Sequence, residues 1–88
     1  MMSNKELDKK LSKFGPMLKP IIGTLAHNRT FRMREIDQYT RFDPQPLSGW
    51  QVVTEMRGLG LLSQVVNPGG SNEYHPSPEG WDWIETGL

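Results

Sequence analysis

Arg29, Arg32, Arg34 and Arg41 fall within one short stretch of the chain. A guanidinium is a permanently charged planar fork that can hold phosphate oxygens two at a time. Arginines so close together could form a phosphate-contacting patch. They could equally be solvated surface charge, with Arg34 and Arg41 paired to the interleaved Glu35, Asp37 or Asp43.

Other chemistries find less support. The chain has no Cys, which excludes a disulfide framework, a thiol nucleophile and a cysteine zinc site. His27 and His75 are the only histidines, and neither has a partner at metal-ligand spacing, so both read as structural or solvent-facing. Carboxylates are plentiful but show no recognisable acid/base pairing, and Gly69-Gly70 is turn chemistry rather than a phosphate loop. The expectation is a binding protein, not an enzyme, with no cofactor and no metal.

Size and charge sharpen this. With 88 residues the chain makes one small domain, with little room for a deep enclosed active site. Its formal net charge is zero, which on its own argues against a strongly basic nucleic-acid binder. The total hides two opposed halves: residues 1–34 carry +6, and residues 35–88 carry −6. No apolar run approaches the roughly 20 residues of a membrane span, and the N-terminus has no apolar signal core, so the expected location is cytoplasmic.

The elements that must position these residues follow from periodicity and caps. Ser3-Asn4-Lys5-Glu6 predicts a capping box. Leu7, Leu11 and Phe14 then share one helical face, and Gly15-Pro16 stops the helix. Leu18, Ile21, Ile22 and Leu25 predict a second helix, with Pro20 tolerable in its first turn. Thr30-Phe31-Arg32 reads as extended, and Arg34 to about Thr40 as a short helix. After the turn Asp43-Pro44-Gln45-Pro46, a helix over 46–58 buries Val52, Val53, Met56 and Leu59. Gly49 within it suggests close approach of another backbone, or simple tolerance. Leu61–Val66 and Glu73–His75 flank a dense turn signal and predict a hairpin. Ser77-Pro78-Glu79 opens a last helix, with Trp81, Ile84 and Leu88 on one face.

From Phe31 onward the order and spacing resemble a known family. Phe31-Arg32-Met33-Arg34-Glu35-Ile36, then Val52-Val53 followed by Met56 and Gly60-Leu61-Leu62, then Tyr74-His75-Pro76-Ser77-Pro78-Glu79-Gly80, are similar to the winged-helix domain of MarR-, PadR- and HxlR-type regulators. The resemblance implies an α+β, mostly helical winged helix: a three-helix core with a helix-turn-helix, a β-hairpin wing and flanking terminal helices. It divides the chain into an N-terminal amphipathic helix (1–15) and a winged-helix domain (16–88). It implies a transcriptional regulator that binds double-stranded DNA, with the helix over 46–58 in the major groove. Ser48, Trp50, Gln51 and Thr54 would meet base edges, and Arg29, Arg32, Arg34 and Arg41 would hold phosphates.

An alternative is a winged-helix module that binds protein through Trp50, Trp83 and an acidic C-terminal half. The wing from Ser63 to Pro76 carries no Lys or Arg, only Glu73, which favours that alternative. Trp81 is in phase with Ile84 and reads as core, whereas Trp83 falls on another face and reads as an interface residue. Leu7, Leu11 and Phe14 read as the seam of a homodimer, because a second subunit would supply core to so short a domain. The competing view is that they cover the domain's own core.

Overall fold

A computed structural model describes residues 2–86. Helix α1 (Asn4–Leu11) begins at the capping box. The Ser3 hydroxyl accepts from the Glu6 N–H at 3.2 Å, and the Glu6 carboxylate accepts from the Ser3 N–H at 3.3 Å. A short 3₁₀ turn (Ser12–Phe14) follows, and Gly15 ends it at φ 86°, a left-handed conformation that suits glycine. Helix α2 (Leu18–Leu25) has Pro20 in its first turn, where a missing N–H costs no helical bond. Phe31 forms a single antiparallel bridge to Tyr74, donating to the Tyr74 carbonyl at 2.9 Å and accepting from its N–H at 2.8 Å.

Helix α3 (Met33–Tyr39) and helix α4 (Gly49–Gly58) are joined through a buried threonine. The Thr40 hydroxyl donates to the Ile36 carbonyl and accepts from the Leu47 N–H, each at 2.9 Å. That bond holds residues 46–48 outside the helix. Helix α4 therefore starts at Gly49 rather than at Pro46, a correction to the sequence expectation. Ser48 is its cap, accepting from the Gln51 N–H at 3.3 Å. Gly49 is required where it stands, since a Cβ there would lie 1.9 Å from the Met33 carbonyl oxygen. Close backbone approach was one of the two readings of this glycine, and it is the one realised.

Strands β1 (Leu62–Val66) and β2 (Asn72–Pro76) form an antiparallel hairpin in which Gln64 faces Tyr74. Helix α5 (Pro78–Glu85) starts at Ser77, whose hydroxyl accepts from the Gly80 N–H and donates to the Gly60 carbonyl. Among the described residues the chain is thus α+β, with five α-helices and a two-stranded hairpin.

The core corrects two interface expectations. Leu7, Leu11 and Phe14 are buried in the same cluster as the apolar residues of α2, α4 and α5, so they cover the chain's own core instead of offering a seam. Helix α1 and the 3₁₀ turn thereby share one core with the rest of the described chain. Trp83 is 2% exposed, which corrects its reading as an interface residue, while Trp81, expected in the core, is half-buried and packs against it. The physical reason is that α5 buries Gly80, Trp83 and Ile84 at spacings of three and four. The expected face was anchored instead on Leu88, which lies outside the described residues. The Trp83 indole N–H donates to Asp8 at 2.9 Å, and the Lys19 ammonium sits 4.9 Å from the ring centroid. Trp83 is therefore unavailable to a partner.

Candidate nucleic-acid interface

Helix α4 has two contrasting sides. Val52, Val53 and Met56 are fully buried, which fixes its rotation. Trp50, Gln51, Thr54 and Arg57 are exposed, with Trp50 at 64%. Positions 50, 54 and 57 are spaced four and three apart and so form one outward face. The start of the helix is held to α3 by the Gly49 N–H donating to Asp37 Oδ1 at 2.9 Å, besides the Gly49–Met33 backbone contact. The outward face therefore belongs to a rigid two-helix unit, not to a mobile loop.

The predicted arginine cluster divides. Arg29 is committed internally: it forms an ion pair with Glu35 and its Nε donates to the Thr30 carbonyl at 3.0 Å. Burial pushes the Glu35 carboxyl up, but the Arg32 N–H bond at 2.6 Å and the Arg29 guanidinium together hold it below the ordinary glutamate value. Glu35 was expected to neutralise Arg34 or Arg41 in the surface-charge reading, but it serves Arg29 instead. Among the described residues, Arg32, Arg34, Arg41 and Arg57 form no ion pair. Arg32 and Arg34 line an open cleft of about 540 Å³ between the start of α3 and β2. The carboxylate facing them from β2, Glu73, accepts from Thr30 and from the Asn67 side chain, so its oxygens are already engaged. Arg41 stacks its guanidinium 5.3 Å from the Phe42 ring.

The remaining expectations sort as follows. Gln51 and Thr54 stand on the outward face with Trp50. Ser48 is half-buried and spends its acceptor on the helix cap. Arg57, Tyr39 and Phe42 are not among the site residues expected from the sequence. Arg57 was legible, since it is seven residues after Trp50 on the helical repeat. Phe42 is 90% exposed and Tyr39 52%, and only the packing of Thr40 between them puts both outside. The lysines of the basic N-terminal half are partly consumed: Lys13 pairs with Glu55, and Lys19 with Asp8 at 3.0 Å. That hydrogen bond from Lys19, aided by the Trp83 indole and opposed by burial, lowers the Asp8 carboxyl from its ordinary value.

Among the described residues no cluster of His, Cys, Asp and Glu could hold a metal ion. None of the described helices is long and apolar enough to cross a membrane. The chain matches no protein-family model, no curated protein and no solved structure.

Proposed function

We propose that this chain is a winged-helix protein that binds double-stranded DNA, acting as a cytoplasmic transcriptional regulator rather than an enzyme. The observation that carries the reading is the outward face of α4, with Arg34 and Arg41 in no ion pair on the adjoining α3 and its loop. Gln51 and Thr54 can exchange hydrogen bonds with base edges, while the free guanidiniums neutralise phosphate. The hairpin, with no cation from Ser63 to Pro76, contributes little to the grip. The neutral net charge is compatible with this reading because, among the described residues, Arg34, Arg41 and Arg57 form no ion pair, although Lys13 engages Glu55 on α4 itself.

The test is binding to duplex DNA at rising salt, followed by tryptophan fluorescence, to which the exposed Trp50 contributes. Each phosphate contact should contribute about 0.9 to the slope of log affinity against log salt. Arg34→Ala with Arg41→Ala should weaken binding to all sequences alike and flatten that slope, whereas Gln51→Ala should change preference between sequences. Absence of binding at any salt defeats the DNA reading.

A protein-binding role has one specific observation in its favour: Trp50, Phe42 and Tyr39 are large exposed aromatics on the same two-helix unit. The loss of Trp83 to the core removes one of the two tryptophans first expected for that role.

A further inference from the structure

The hairpin that lacks cations leaves one of its two edges, that of β1, without charge, proline, bulge or covering strand. The Phe31–Tyr74 bridge uses the N–H and C=O of Tyr74 on the side away from β1. Gln64, which faces Tyr74, is therefore in a non-hydrogen-bonded pair with it. The flanking bonds agree, because Ser77 donates to the Leu61 carbonyl and Asn67 to the Ser71 carbonyl. By this alternation the N–H and C=O groups of Leu62, Gln64 and Val66 all point to the outer edge of β1. None of them is hydrogen-bonded to a side chain or to backbone outside the hairpin among the described residues. Natural edges are usually blocked by lysine, proline, a bulge or a covering element. Strand β1 reads Leu-Ser-Gln-Val-Val, with no charge and no proline, and its register runs without a bulge. Val65 and Val66 are 38% and 66% exposed.

We propose that this edge is where two copies of the chain associate, β1 pairing antiparallel with β1 of the second copy about a two-fold axis at Gln64. In that arrangement Gln64 exchanges both backbone bonds with its symmetry mate, and Leu62 does so with Val66. Charge favours a second copy as the occupant. A two-fold contact brings identical groups together, and over most of this surface that would oppose like charges. At β1 it opposes only neutral side chains, and the nearby Glu73 is tied to Thr30 and Asn67. The pairing would extend the hairpin and the Phe31 bridge into one continuous sheet across the dimer. It stands independently of DNA binding, and it accounts for a hairpin so poor in charge.

The experiment is sedimentation equilibrium over about two decades of concentration, with amide hydrogen exchange at both ends of the range. A monomer–dimer equilibrium is expected, with the Gln64 and Val66 amides exchanging more slowly at high concentration. Gln64→Pro removes an N–H that the hairpin itself does not use, and Val66→Lys puts a charge on the edge. Each should weaken association by about tenfold or more while leaving the circular dichroism spectrum unchanged. A monomer at every concentration overturns the proposal. So does a dimer that both folded variants leave intact, or one that forms without slowing the Gln64 amide.

Discussion

Helices α4 and α5 enter the fold by the same device and end in opposite roles. Each is capped by a serine, Ser48 or Ser77, and each carries in its first turn a glycine pressed on a carbonyl. A Cβ at Gly49 would meet Met33 O at 1.9 Å, and one at Gly80 would meet Leu61 O at 2.0 Å. Each helix also carries tryptophan. Helix α5 has two: Trp81 is half-buried and Trp83 is turned inward onto Asp8 and Lys19, while the carboxylates Glu79, Asp82 and Glu85 are exposed. In α4 it is Trp50, turned outward among Gln51, Thr54 and Arg57. The difference teaches that anchoring and chemistry are separable. The cap and the glycine fix where a helix starts and what it leans on, while the rotation set by buried residues decides which groups meet a partner.

The largest effect should come from exchanging the two tryptophans for alanine. Trp83→Ala should cost about 3–5 kcal/mol of stability, because it empties a filled site and strands the Asp8–Lys19 pair. Trp50→Ala should change stability by about 0.5 kcal/mol or less and reduce DNA affinity instead. Urea unfolding beside a binding titration separates the two. Equal stability losses would mean that α4's outward tryptophan is packed after all.

The glycines test the shared device. Gly49→Ala and Gly80→Ala should each cost about 1–3 kcal/mol, since the opposing atom is backbone carbonyl and cannot swing away. Only Gly49→Ala, which pushes α4 from α3, should also lower DNA affinity of the folded fraction. If Gly80→Ala impairs binding equally, the two helices are not functionally distinct.

The smallest effect concerns Glu35, which anchors the start of α3 and occupies Arg29. Its folded pKa lies below the ordinary value, so the stability it adds is fully present above that ordinary value. It fades as pH falls through the lowered folded value. Glu35→Gln should cost about 1 kcal/mol at neutral pH and nothing in strong acid, as followed by thermal unfolding across pH. A stability difference that persists in acid would assign Glu35 a role other than its charge.

Much of this fold is local and was therefore readable. The Ser3–Glu6 box, the stop at Gly15-Pro16, the Asn67–Ser71 turn and the Ser77-Pro78 start depend on residues a few positions apart. So does the division of α4 into a buried and an exposed side, because a helical repeat needs only spacing. The start of α4 was misread because the bond from Leu47 to Thr40 lies across a loop. Trp83 reads as an interface residue from spacing alone because two neighbouring helical faces of α5 are both apolar, and only contact with α1 and α2 shows that both pack on the core.

The sequence by itself determined the element order, the caps, the absence of cysteine chemistry and the set of residues able to meet a polyanion. The tertiary structure decided which of them are free. Arg29 went to Glu35 and Lys19 to Asp8, while Arg34, Arg41 and Arg57 kept their charge for solvent. The structure alone also turned the apolar stripe of α1 inward and left the edge of β1 open. The reason is that spacing along a chain specifies faces, but a face becomes core, pair or surface only when another element arrives to cover it.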